Sequence, residues 1–370
     1  MPKKVLMIVS SLGVGGMEKF ALQLFKGIQS SAIRMDFLIF DNSRLEYLDD
    51  VKKLGAQVHI FDKSTNVGFL DEILFVNKIL KNGEYDVIYV NSCSLKGFLT
   101  SIFPARRNKI KIIAHAHSVG YKSSNKIEAF VRSLMISYIS RSIDFGYACS
   151  IEAAHSKYSK SFVESEKYRT INNAVNINNY IFDLEIRTRL RKQLNIDNKI
   201  VIGIVGRLEY EKNHLFLLDV LKKIVDENPK YVLLIIGGGS LNGKLQNMVR
   251  ERNLENNVFF LGTRKDANSW YSAMDAFVLP SFYEGFPYVL VEAQLNGLKC
   301  FVSNTITNTV NISNTVCFLS IDKTDSVDKW KKEILDNKIK RIPEANIQKI
   351  KDNYDIQNEI SVIVKDIMAI

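Results

Sequence analysis

Ala276-Phe277-Val278-Leu279 runs through Pro280-Ser281-Phe282-Tyr283 into Glu284-Gly285-Phe286-Pro287-Tyr288-Val289-Leu290-Val291-Glu292. The stretch reads as a strand, a Gly/Pro turn and the first turns of a helix. The apolar run 276–279 suits a buried parallel strand. Pro287 suits a first helical position, where its missing N–H has no intrahelical partner anyway. Free backbone N–H groups and the positive end of the macrodipole at such a helix start suit a diphosphate, and a carboxylate one turn along can reach ribose hydroxyls. Glu284, before the turn, then faces a sugar. Taken alone, the stretch fits a surface Glu before an ordinary amphipathic helix better, so its context decides.

Outward from it, Ile200–Val205, Tyr231–Ile236, Val258–Leu261 and Cys300–Val302 are further short apolar runs. An earlier series consists of Lys4–Val9, Arg34–Phe40, Gln57–Phe61, Val87–Val90 and Ile110–Ala114, separated by helical patterns such as Lys19–Gln29 and Asp71–Lys81. Strands alternating with helices imply parallel βαβ units, here restarting midway. At 370 residues two domains are expected. The polar, Asn-rich stretch 172–198 is the natural connection. The boundaries read as an N-terminal Rossmann-like domain at 1–182, a linker at 183–198, a C-terminal Rossmann-like domain at 199–351 and a closing helix at 352–370. Open α/β sheets bind ligands beyond the carboxyl ends of their strands, so the active site is expected in a cleft between the two domains.

An apolar fraction of 46% with 24% charged residues describes a folded globular protein. Met1–Val9 has two lysines and only five apolar residues before Ser10, too short for a signal-peptide core and better read as a first strand. No apolar run reaches about 18 residues, so no membrane span is expected. Cys93, Cys149, Cys300 and Cys317 lie far apart, which disfavours zinc and points to reduced thiols in a cytoplasmic protein. Residues 1–196 hold 28 Lys/Arg against 18 Asp/Glu, whereas 197–370 hold 22 of each, so the whole excess of +10 lies in the first half. Within it, 96–141 carries nine basic residues against Glu128 alone, among them Arg106, Arg107, Lys109, Lys111, Lys122 and Lys126. Such a patch suits anionic lipid head groups, a phosphorylated acceptor or nucleic acid.

Three further constellations bear on chemistry. Gly13-Val14-Gly15-Gly16 lets backbone approach a phosphate or sugar closely, although Glu18 stands where a dinucleotide fingerprint has its third glycine. Gly206-Arg207 with Lys212 places a guanidinium fork and a compact ammonium around one turn after a strand, a span that can fold onto one diphosphate. Gly237-Gly238-Gly239 marks another strand end. His115 and His117, two apart, share one side of a strand. They read as a partial zinc pair without a third ligand, as structural histidines, or as groups that orient a reacting sugar. No Asp-x-Asp occurs, so a metal-bridged diphosphate lacks its usual carboxylates, and cations and helix dipoles must neutralise it.

Together these residues resemble the retaining, nucleotide-sugar-dependent glycosyltransferases of glycosyltransferase family 4, over nearly the whole chain. Glu284 and Glu292 match that family's Glu-x7-Glu signature, Gly206-Arg207 with Lys212 its phosphate clamp, and the Gly13–Glu18 loop its amino-terminal glycine loop. Asn173-Ala174-Val175-Asn176 is similar to its Asn-Gly-Val-Asp turn, with Ala and Asn substituted. Ser303–Thr307 and His115-x-His117 resemble the bacterial branch that builds capsular and exopolysaccharide repeat units.

The resemblance implies an α/β, GT-B architecture of two Rossmann-like parallel-sheet domains facing a cleft. It also implies a metal-independent, cofactor-free hexosyltransferase using a nucleoside diphosphate sugar, with UDP the commonest carrier. Arg207 and Lys212 would stabilise the leaving diphosphate, Glu292 would bind ribose, and Glu284 would contact sugar hydroxyls. Gly15 and Gly16 would close over the phosphates, and His117, or else His115, would be the active-centre histidine. Gly206, Gly238, Arg264, Gly285, Phe286, Val289 and Leu290 complete the implied donor site. The basic patch would dock a lipid-linked saccharide acceptor at the anionic inner face of the membrane.

Other readings are an epimerase or hydrolase of the same fold, a non-catalytic sugar-binding relative, and a nicotinamide-dependent dehydrogenase resting on the first glycine loop alone. A nucleic-acid-binding protein is disfavoured because no nucleic-acid motif accompanies the patch.

Overall fold

The computed structural model describes residues 2–28, 32–62, 68–117, 125–284, 286–336, 339–342 and 344–370. The chain divides into two compact units, one of Met1–Ala174 with Ile356–Ile370 and one of Val175–Asp355.

Unit 1 is built on β1 (Lys3–Val9), β2 (Ile33–Ile39), β3 (Val58–Ile60), β4 (Val87–Ser92), β5 (Lys111–Ala116), β6 (Phe145–Ala148) and β7 (Tyr168–Thr170), in the order β3-β2-β1-β4-β5-β6-β7. All its pairings are parallel. Central strands are apolar on both faces, as Val5–Val9 and Val87–Val90 are, because helices cover both sides. Val76 and Leu80, Phe98 and Ile102, and Ile139 from three successive helices pack against Leu6, Ile8, Ile88 and Ile112. Helix Gly16–Ile28 packs against the last helix, Ile356–Ala369, closely enough that a Cβ on Gly27 would sit 2.4 Å from Ile360 Cδ1.

Unit 2 carries β8 (Ile200–Val205), β9 (Tyr231–Ile236), β10 (Val258–Gly262), β11 (Ala276–Leu279), β12 (Lys299–Ser303) and β13 (Val316–Leu319), again all parallel. Its order is β10-β9-β8-β11-β12-β13. Counted within each unit, both sheets run 3-2-1-4-5-6, with a seventh strand continuing the sheet of unit 1, and the order reverses between β1 and β4 and between β8 and β11. Those two switch points are where this topology binds ligands, at the carboxyl ends of the strands.

The structure moves the expected boundaries. The stretch 183–198 is not a linker: Asp183 caps helix Leu184–Leu194 by accepting from Ile186 N–H at 2.9 Å, and Leu190 packs into the unit 2 core. The helix is polar because Arg187 and Arg191 use that surface to pair with Asp275, each at 2.5 Å. The crossing between units falls earlier, at 174/175, within the Asn173–Asn176 turn, and the chain returns at 355/356. Three strands escaped the sequence reading. β6 and β7 are short and mix Gly, Arg and aromatics, and β13 is a half-buried edge strand whose apolar run is only four residues.

Candidate active site

In unit 2 the carboxyl edge gathers three loops. The loop after β8 holds Gly206 to Lys212, and backbone bonds from Gly206 N–H to Ile236 O (2.9 Å) and Leu208 N–H to Gly238 O (2.9 Å) tie it to the triglycine loop after β9. Gly237 has φ +145°, and a Cβ there would lie 1.8 Å from Gly206 O, so only glycine fits. The loop after β11 joins through Phe282 N–H to Glu211 O (2.9 Å) and by stacking of Phe282 on Tyr210 at 4.8 Å.

This scaffold brings Lys212 and Glu284 together. Lys212 Nζ donates to Glu284 Oε1 at 2.5 Å, with both side chains under 15% exposed, and Ser281 Oγ donates to the same oxygen at 2.8 Å. Arg207 is exposed and pairs with Glu211 at 2.5 Å. The edge thus presents two cations within one turn of chain, each held by a carboxylate. An ion pair at a surface is worth little, about 0–1 kcal/mol, so an incoming diphosphate could exchange the Arg207 partner at small cost. Lys212 is more enclosed.

Other expected donor residues lie differently. Glu292 is only 4% exposed, in the middle of helix Tyr288–Leu295, and its two oxygens accept from buried Tyr180 OH (3.0 Å) and Tyr271 OH (2.7 Å). The Tyr271 hydroxyl is pushed well above its ordinary pKa by burial and by this carboxylate. The ribose-binding role implied for Glu292 therefore meets a carboxylate already occupied. Arg264 forms a two-pronged bond with Asp266, at 2.7 and 2.9 Å, and lies over the Trp270 ring. Leu290 belongs to the core, with its N–H bonded to Pro287 O at 3.1 Å. Phe286 stacks on Tyr354 at 5.5 Å, and Val289 is half-buried against the core. Pro287 is the cap before the helix rather than its first residue. Gly238 is partly exposed beside Thr263, and Gly285 lies outside the described residues.

In unit 1 the corresponding edge holds one guanidinium against the glycine loop: a Cβ on Gly13 would lie 2.8 Å from Arg44 Nε. The glycine loop ends where helix Gly16–Ile28 begins, and Glu18 folds back so that its buried carboxylate accepts from Ser11 Oγ at 2.9 Å. A Cβ on Gly15 would stand 2.3 Å from that carboxylate. His115 and His117 stack at 4.0 Å. His115 is 1% exposed, with Nδ1 at 2.8 Å from Tyr89 OH and Phe20 edge-on at 4.8 Å. His117, at the strand end, bonds Asn91 through Nε2. Burial pushes His117 down to about 3, and burial with the neighbouring His117 ring holds His115 well below the usual range, so both rings are neutral near pH 7. Each is bonded to an uncharged group, an arrangement unlike a zinc pair. Asn91 carried no motif; its one signal was a polar residue ending the core run Val87–Val90.

The basic segment is partly neutralised from outside itself. Lys111 pairs with Asp144 at 3.0 Å and Lys96 with Glu72 at 3.3 Å, acids outside the segment that the local count missed. Arg106 and Arg107 close helix Leu95–Arg107, and Lys109 follows it. Lys126 opens helix Lys126–Ser142. Phe103 meets Tyr138 at 4.8 Å, so the two helices lie together near their ends, which leaves Lys126 about 18 Å along the axis from that contact. Lys122 lies outside the described residues. Near Lys126 an apolar row is exposed instead: Ile127 (75%), Phe130, Val131 and Leu134, at spacings of 3, 4 and 7. Among the described residues no helix is long and apolar enough to cross a membrane.

Two Rossmann-like parallel-sheet units of this strand order define the GT-B architecture, the fold of a class of glycosyltransferases. A crystal structure of Anabaena Alr3699/HepE in complex with UDP and glucose superimposes with a TM-score of 0.80 at 19% identity, over 100% of both chains. Residues 186–351 match the family described as Glycosyl transferases group 1. The chain is 27% identical over 319 residues to the putative glycosyltransferase EpsF of Bacillus subtilis (strain 168), covering 84% of this chain and 81% of that one. It is 26% identical over 366 residues to the UDP-Gal:alpha-D-GlcNAc-diphosphoundecaprenol alpha-1,3-galactosyltransferase of Escherichia coli, covering 95% and 92%. The chain is a glycosyltransferase.

Proposed function

We propose that this enzyme is a retaining, metal-independent member of glycosyltransferase family 4. In this reading it moves a hexose or N-acetylhexosamine from a UDP-sugar to a hydroxyl of a lipid-linked polysaccharide precursor of the capsular or exopolysaccharide kind. The observation that carries it is Lys212 held against Glu284, with Arg207 in the same loop, at the switch point of unit 2. Arg207 and Lys212 neutralise the diphosphate as the bond from the anomeric carbon to its oxygen breaks. Glu284 accepts from sugar hydroxyls. The acceptor oxygen attacks the same face, and its proton passes to the departing phosphate oxygen, so no carboxylate nucleophile is required. Neutral His117 bonds the sugar without adding charge. The UDP of the HepE complex and the diphosphoundecaprenol acceptor in the name of the E. coli relative support this choice of substrates.

Calorimetry with UDP, GDP and ADP, each with and without EDTA, tests the donor half. UDP should bind regardless of EDTA, and Arg207→Ala should weaken it about tenfold. Binding of none of them, or binding lost in EDTA, sinks the reading. The acceptor half places unit 1 at the inner face of the cell membrane through the apolar row beside Lys126. Flotation with vesicles of neutral or anionic lipid should recover more protein on the anionic ones at low salt, and Phe130→Asp should lower recovery. Equal partition onto both vesicles removes its support.

A further inference from the structure

Asn91, near the end of β4, is buried, and its side chain touches two elements of unit 1. Its Nδ2 donates to Met17 O at 3.2 Å, in the first turn of the helix that follows the glycine loop. A backbone carbonyl only accepts, so the amide has one orientation, and its Oδ1 is the atom facing His117. An amide oxygen only accepts in turn, so the proton of the neutral His117 ring sits on Nε2. Nδ1 is left with a lone pair, buried and without a partner among the described residues. Its ring and hydrogen-bond contacts among the described residues are uncharged: the stacked His115 at 4.0 Å, Phe20 at 5.4 Å and Asn91 itself.

We propose that Asn91 is a positioning residue that fixes His117 as the Nε2–H tautomer and so presents Nδ1 as the acceptor for a sugar hydroxyl. The proposal rests on the reading of His117 as an active-centre residue. It makes His117 an acceptor of a hydrogen bond from substrate rather than a proton donor. It also ties the ring to the glycine loop, since Met17 directly follows Gly16.

Two measurements on the full chain test it. Nitrogen-15 ring spectra, with the His117 signals assigned by loss in His117→Gln, should show Nε2 protonated and Nδ1 bare at pH 7. Asn91→Asp nearly preserves shape but sets a carboxylate against Nε2, which favours the doubly protonated ring and blocks Nδ1. Its kcat should therefore fall about tenfold between pH 8 and pH 6, where the wild type stays flat, with KM for the donor little changed. Asn91→Leu should lower kcat at every pH while its thermal midpoint shows a folded protein. A wild-type His117 protonated on Nδ1, or an Asn91→Asp profile matching the wild type, overturns the proposal. Absence of sugar transfer by the wild type would instead overturn the proposed function, and the ring spectra would still decide the tautomer.

Discussion

The two units share strand order and differ in what they place at the switch point. In unit 2 the loops carry charge: Lys212 against Glu284, Arg207 against Glu211, and Arg264 against Asp266. In unit 1 the same edge carries two neutral hydrogen-bonded pairs, His115 with Tyr89 and His117 with Asn91, beside Arg44 at the glycine loop, Asp41 bonded to Ser43, and Glu18 turned inward to Ser11. In the proposed reading one topology serves two kinds of ligand. A diphosphate needs cations aimed at it, and a sugar hydroxyl needs acceptors free of competing charge. The contrast comes from the loops, because the β-strands beneath them are equally apolar in both units.

Breaking the charged edge should have the largest effect. Lys212→Met removes the ammonium and leaves Glu284 bonded to Ser281 Oγ. We expect kcat to drop on the order of 1000-fold, with a thermal midpoint lowered by a few degrees. Unchanged turnover would mean that the charged loops of unit 2 do not act on the leaving group, and the comparison would fail.

A smaller effect belongs to unit 1. Glu359, on the last helix of unit 1, is buried, and desolvation raises its pKa from 4.5 to about 7 despite the N–H of Asn172 at 3.2 Å. An acid with a raised folded pKa binds more protons folded than unfolded, so its contribution is full below pH 4.5 and lost as pH rises through 7. The buried histidines act oppositely, losing stability as pH falls from 6.5 toward 3. Glu359→Gln isolates the first term. It should stabilise the protein at pH 8 by roughly 2 kcal/mol and leave it unchanged at pH 4. Equal thermal shifts at both pH values would contradict a buried, costly charge there.

Much of this was legible in the residues. Apolar runs ending in glycine or proline marked the central strands and the three loops of the unit 2 edge, because a strand covered on both faces has no polar alternation to confuse it. Local spacing also placed His115 and His117 on one side. It failed where long-range partners decide. Glu292 looked free until Tyr180 and Tyr271, far off in the chain, supplied its hydrogen bonds. Lys96 and Lys111 looked unneutralised until Glu72 and Asp144 appeared beside them. Helix Leu184–Leu194 looked like a linker because the acid that pairs with its arginines, Asp275, sits on another element.

The last helix gives the molecule an order of birth. Ribosomes deliver residues 356–370 only after every residue of unit 2, yet Asp366 is the carboxylate that Arg169 grips at 2.7 and 3.1 Å and that Tyr147 OH meets at 2.9 Å. Throughout synthesis the first unit waits with a buried tyrosine and an arginine lacking their common partner, while the second already has all its strands. The half of the protein made first is finished last, so unit 2 is an insertion that must emerge, and can fold, inside an incomplete host.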